Sequence, residues 1–166
     1  MAEMTFTNCG PKLGPNELRA LEEQLGCELP TDYREFLLRH NGGDPDKKCF
    51  YASKGDAETT WVDFFHQVDE HLAGPCEEAE PCSIAFERFA SAEVTPDDCL
   101  IIGKAARDDL LLLRIRGKRR GQIDLKNMEE LGPPLADSDW GKDKEEGVHP
   151  LAKSFSAFLE MLQLEE

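Results

Sequence analysis

Apolar residues recur at Leu18, Leu21 and Leu25, with Glu17, Arg19, Glu22 and Glu23 between them. That spacing predicts an amphipathic helix, opened by Gly14, Pro15 and Asn16, since proline suits a first helical turn. Residues 25–43, LGCELPTDYREFLLRHNGG, read as the end of that helix, a corner, a second helix and a stop. Pro30 fixes its own φ, and Thr31 or Asp32 is placed to cap the second helix. Tyr33, Phe36, Leu37 and His40 share one helical face and are expected to meet the core. Asn41, Gly42 and Gly43 end the helix, because these residue types adopt left-handed backbone cheaply.

The pattern then shortens. Residues 49–52 and 59–68 are strand candidates, broken by Lys54-Gly55-Asp56. The second is rich in β-formers but has no clean period; at least two of Trp61, Phe64 and Phe65 are expected in the core. Residues 72–82 form a loop of Pro, Gly and Glu, and 83–92 a short helix with Ile84, Phe86 and Phe89 inward. A strand meander follows at 99–103, 110–116 and 122–125, with turns at 107–109 and 117–121. Four consecutive leucines from Leu110 imply burial on both faces, whereas Arg114 and Arg116 suggest that one face becomes wet. Residues 131–148 read as a long connection containing Trp140. Leu151, Phe155, Phe158, Leu159 and Leu162 form the stripe of a closing helix capped by Ser154. The expected fold class is α+β: two N-terminal helices, a central, mostly antiparallel sheet and a C-terminal helix packed on it. One domain covers 1–166, with its core at about 14–164.

Composition narrows the function classes. The net charge of the 166 residues is −15, and residues 104–126 alone carry a local +5. The remainder, at −20, is repelled by phosphate backbones and anionic lipids, which argues against nucleic acid and membrane partners. Acidity serves solubility in most proteins; the sharper reading is attraction of a basic partner. No run of about 20 apolar residues is present, and the start, MAEMTFTNCG, shows neither the basic nor the apolar region of a signal peptide, so the expected location is the cytoplasm. Cys9, Cys27, Cys49, Cys76, Cys82 and Cys99 are then expected as reduced thiols. His66, His71, Cys76 and Cys82 lack the tight paired spacing of a structural zinc site, and no metal or cofactor is expected. There is no GxSxG, no HExxH and no phosphate-binding glycine loop. His40 reads as a helix C-terminal residue, and Asp44 with Asp46 as loop solvation, so no catalytic residue is assigned.

The segment around Leu29, Pro30, Tyr33, Phe36, Asn41, Gly42 and Gly43 resembles the N-terminal signature of the SUKH superfamily. Val94-Thr95-Pro96 with Cys99 to Gly103, and Ser154-Phe155 with Phe158-Leu159, resemble two further stretches of that family in the same order. The resemblance implies a single α+β domain that binds another protein, without a shared catalytic set. It implies foremost an immunity protein that neutralises a cognate bacterial toxin. The alternative is an intracellular regulatory or adaptor module. A nuclease toxin has a basic groove, which an acidic face would attract. Glu77, Glu78 and Glu80 on one loop, and Asp137, Asp139 and Trp140 on another, are the candidate partner contacts. The plainer reading of these acids is solvated loop, and Trp140 equally reads as tacking its loop to the core. The toxin and the oligomeric state are unassigned by sequence.

Thiol titration in denaturant without reductant is expected to recover six free thiols. Recovery of two or fewer would mark a disulfide framework instead.

Overall fold

The computed structural model describes residues 3–53, 55–131 and 143–164. Helix α1 (Pro15–Leu25) buries Leu18, Leu21 and Leu25, and Glu17 accepts the Gly14 N–H to cap its start. Gly26 ends it at φ 72°. Helix α2 (Thr31–Arg39) starts from Pro30, and the side chains of Thr31 and Asp32 do not act as its N-cap. Asp32 accepts the Tyr33 N–H and, through its other oxygen at 2.8 Å, the Ser156 N–H of the last helix. It therefore joins two helices.

Strand β1 (Phe6–Thr7) pairs with β2 (Asp44–Pro45) in a small ribbon. The main sheet is antiparallel and runs in sequence order from β3 to β8. Its strands are β3 (Cys49–Phe50), β4 (Thr60–Phe65), β5 (Cys99–Ala105), β6 (Leu110–Arg114), β7 (Ile123–Lys126) and β8 (Val148–Ala152). Helix α3 (Ile84–Ala90) packs against β5, and α4 (Phe155–Met161) against α2 and β8. This is the α+β arrangement expected, with two corrections at its end. Residues 148–152 form an edge strand, and Leu151 belongs to it rather than to α4. Ser154 caps α4 as expected, accepting the Ala157 N–H.

The sheet separates two clusters. Leu111, Leu113, Ile115, Ile123 and Leu125 face α1, α2 and α4 in the large core. Leu110, Leu112, Ile101 and Cys99 face the other way, under Val94, Met128, Leu131 and Val148. Double-sided burial explains the unbroken leucine run. Arg114 also lies on this second face and is fully buried, contrary to the wet face expected from its alternation with leucine and isoleucine. Its Nε donates to Asp124 at 2.6 Å, Nη1 to Asp98 at 2.8 Å, and Nη1 and Nη2 to Glu145 at 2.8 and 2.7 Å. Lys126 donates to the carbonyls of Lys144 and Glu146. Together these bonds clip residues 144–146 onto the sheet. The carboxylates around Arg114 hold its pKa above its already high ordinary value, and Arg114 in turn holds Glu145 below the usual carboxylate range.

Strand β4 explains the missing period at 59–68. A bulge between Val62 and Phe64 shifts the register, so Val62 and Phe65 both point inward although three residues apart. Trp61 is 48% exposed, Phe64 half-buried and only Phe65 of the three is core. Phe89, at 47% exposed, is likewise outside the core, because α3 turns Ile84, Ala85 and Glu87 inward. The edge of β3 is covered by the C-terminal residues: Lys48 and Cys49 donate to the Gln163 carbonyl, and Gln163 donates back to Cys49.

The stop after α2 does more than end a helix. Asn41, Gly42 and Gly43 have φ of 51°, 79° and 111°. Gly43 exchanges both backbone hydrogen bonds with Phe65, at 3.0 and 2.9 Å. A Cβ on Gly42 would lie 2.7 Å from the His66 carbonyl oxygen, so only glycine fits against β4.

Gly117 shares the left-handed φ of Gly42 but has open space around it. Gly117→Ala is therefore expected to cost about 1–2 kcal/mol, from backbone strain alone. Gly42→Ala should cost at least about 1 kcal/mol more, from collision with β4. Urea midpoints of the two variants test this; equal losses would mean that β4 moves away freely.

Candidate functional site

Asn41 is fully buried, and its side chain organises the surface above it. Nδ2 donates to the carbonyls of Pro11 at 2.7 Å and Val68 at 3.0 Å, while Oδ1 accepts the Val68 N–H at 2.7 Å. Its carbonyl accepts the Gly10 N–H at 2.9 Å. Asn41 thus fixes two separate segments, 10–11 and 68, at a set distance, through its side-chain amide and its backbone carbonyl. Between them and α1 opens a cleft of about 480 Å³. Its apolar surface comes from Pro11, Leu13, Ala20, Val68 and Leu72, and Lys12, Asn16, Glu17, Asp69 and Glu70 complete the lining.

The far wall is a preformed turn. Asp69 accepts the His71 N–H at 3.0 Å through its side chain and the Leu72 N–H at 3.0 Å through its carbonyl. Gln24 of α1 accepts the Ala73 N–H at 2.8 Å, and Arg88 of α3 donates to the Ala73 carbonyl. Leu72 is held at φ 56°, a conformation that costs a bulky residue of the order of 1–3 kcal/mol and persists only where its surroundings enforce it.

Asp69 also accepts the Glu80 N–H at 3.2 Å, which joins the acidic loop to this wall. Glu77, Glu78 and Glu80 are exposed there, with Ala79 buried as the anchor. Of the acids singled out in the sequence, Glu80 is therefore tied through its backbone to the wall of an apolar cleft that the sequence did not indicate, while Glu77 and Glu78 are not part of that cleft's lining. Asp137, Asp139 and Trp140 lie outside the described residues. The sequence signal for the cleft was Asn41 itself, read as a helix stop; a buried asparagine must find partners, and here those partners are the walls.

A second surface surrounds the turn between β3 and β4. Tyr51 and Trp61 are exposed there, beside a cleft of about 440 Å³ that includes Asp56, Glu58, Arg107 and Asp109. Trp61 Nε1 donates to Asp63 at 2.9 Å. Its charge is mixed, since Arg107 faces Glu129 at 3.5 Å.

Among the described residues, the titratable groups inside the fold include a close set of His66, Glu87 and Lys104. His66 is fully buried, and among the described residues neither ring nitrogen has a hydrogen-bond partner. Glu87 Oε2 stands 3.9 Å from its Nε2, and Lys104 Nζ 3.7 Å from the same oxygen. Desolvation holds the His66 pKa below its ordinary value, so the ring is neutral at physiological pH. His40, which closes α2, packs on Phe6 and Phe36, and burial also lowers its pKa. Among the described residues, no three of His, Cys, Asp and Glu converge in a metal-binding group. Cys9 and Cys82 are exposed, Cys99 is buried, and no described cysteine is in a disulfide. No described helix is long and apolar enough to cross a membrane.

The model of the SMI1 / KNR4 family (SUKH-1) matches residues 12–161, and the chain belongs to this family. Among curated proteins, the chain is similar to the uncharacterized protein YnaB of Bacillus subtilis (strain 168), at 45% identity over 42 residues. That match spans 25% of this chain and 28% of the relative.

His66 gives a pH signature with a defined sign. Its folded-state pKa lies below 6.5, so below that pH the unfolded chain binds a proton that the folded chain refuses. Stability is expected to fall as pH drops from 6.5 toward 5, at up to about 1.4 kcal/mol per unit. His66→Gln should flatten that slope whatever its own stability at pH 7. Urea denaturation at several pH values checks this; an unchanged slope would assign the loss to the carboxylates.

Proposed function

From its membership of the SUKH-1 family, we propose that this domain is an immunity-type protein: it binds a cognate toxin and blocks its active site or substrate access. It does so by surface contact and without catalysis. The observation that carries this reading is the preformed apolar cleft bordered by carboxylates, on a chain of net charge −15. Apolar surface supplies affinity when it is covered. A field of one sign supplies orientation and speed. A toxin acting on nucleic acid carries the opposite field over its own substrate groove, and an acidic inhibitor competes for that groove.

Protein-only binding is also consistent with where the titratable groups lie. Of the buried ones, Arg114, Asp124 and Lys126 lie on the sheet and His66 meets Glu87 of α3, Asp109 lies at the cleft beside Trp61, and the carboxylates at the first cleft stand at its rim.

The test is co-expression with the toxin encoded beside its gene. Growth rescue and co-purification are expected. The association rate should fall steeply as added salt shortens the Debye length from about 10 Å to about 3 Å, while dissociation changes less. A rate flat with salt, for a partner that does bind, would remove electrostatic steering. Binding of a protein that is not a toxin, with no rescue of growth, would favour the adaptor function instead.

A further inference from the structure

We infer that the cleft between residues 11–20 and 68–72 receives a projecting segment of the partner that carries one apolar side chain flanked by lysine or arginine. This rests on the protein-binding reading above and specifies its contact. The floor is apolar and rigid: Leu13 and Val68 are buried, and Ala20 presents a side chain small enough to leave the space open. The rim is acidic. Glu17, Asp69 and Glu70 line the opening, the backbone of Glu80 is tied to Asp69, and Lys12 is the single cation of the lining. A cleft of about 480 Å³ lies within the range of about 300–1,000 Å³ typical of sites that enclose a compact group. A segment with both properties fits best: its apolar side chain leaves water for the floor, and its cations stay hydrated beside the carboxylates. An acidic segment is repelled at the rim, and a wholly polar one gives up hydration to an apolar floor without compensation.

The walls favour this use because they do not need to be assembled. Asn41, Gln24, Asp69 and Arg88 already fix both sides, so little conformational entropy remains to be lost on binding. The surface around Trp61 has a similar charge balance but is the weaker candidate for the apolar side chain, since Thr59, Thr60 and Asn127 add to the charged residues and make most of its lining polar.

The probe is a synthetic ten-residue peptide with a central leucine between paired lysines and arginines, titrated into the isotopically labelled full chain and followed by amide NMR. Shifts are expected at residues 12–20 and 68–72. Replacing the peptide leucine by glycine should weaken binding at least tenfold, and replacing its cations by glutamate should abolish it. Ala20→Arg, which fills the cleft, should also weaken it at least tenfold. Glu70→Lys, on an exposed side chain, should weaken it without risk to folding, while Trp61→Ala should leave it unchanged.

Equal binding of the glycine peptide, or shifts around Trp61 instead, would overturn the proposal. So would concentration-dependent shifts in the protein alone that link the cleft with residues 116–120. The basic turn of a second copy would then be the occupant. The two readings fail separately. Neutralisation of a toxin by the Ala20→Arg protein at full potency would discard the cleft and keep the immunity function. Leucine-dependent peptide binding with no toxin rescued would keep the cleft and discard the immunity function.

Discussion

The side chain of Asn41 is the tie on which the N-terminal half of the molecule depends. Its amide satisfies backbone groups of Pro11 and Val68, which lie 30 and 27 residues away in sequence. Each such bond contributes about 1 kcal/mol net, but leaving its buried groups unpaired costs about 1–3 kcal/mol apiece. Few other residues offer a donor and an acceptor at that reach from a left-handed backbone. The glycines after Asn41 then let the chain lie directly on β4. Helix end, sheet edge and surface cleft are consequently one construction, and α2 sets the position of all three.

The opposite face of the sheet is built on another principle. Arg114 brings together Asp98, Asp124 and Glu145 from three separate stretches, and no apolar side chain could hold three carboxylates there. The buried Arg114–Asp124 pair at the centre of this cluster contributes little net stability, because desolvation offsets much of the attraction, and Asp98 and Glu145 reach it from the partly exposed rim. Its strength is geometric: the planar guanidinium accepts partners only in set directions. The large core therefore stabilises the fold, while the smaller face aligns the segments crossing it.

Helices, meander and closing cap were legible because each shows a local signal. The stripe of α1, the glycines after α2, the leucines of β6 and the serine before α4 all speak within a few residues. What escaped was carried by distant partners. Arg114 looked solvent-facing because its three carboxylates lie 10, 16 and 31 residues away. Strand β8 was hidden by His149-Pro150, residues that fit an edge strand but announce a loop. Trp61 and Phe65 looked alike until the bulge gave them opposite sides. The cleft escaped for the same reason: its apolar floor is assembled from three segments that Asn41 and Gln24 help to bring together.

Gln163 also affects how the molecule behaves in a crowd. Beside it, the backbone of Lys48 and Cys49 would otherwise present free donors and an acceptor along the margin of a six-stranded sheet. Such a margin is a template on which another chain can add itself as the next strand, and repeated addition leads to insoluble β-aggregates. By occupying that row with its own backbone, the chain closes this margin of the sheet, with β8 at the other. The backbone of Gln163 thus stands where a strand of another chain would otherwise add.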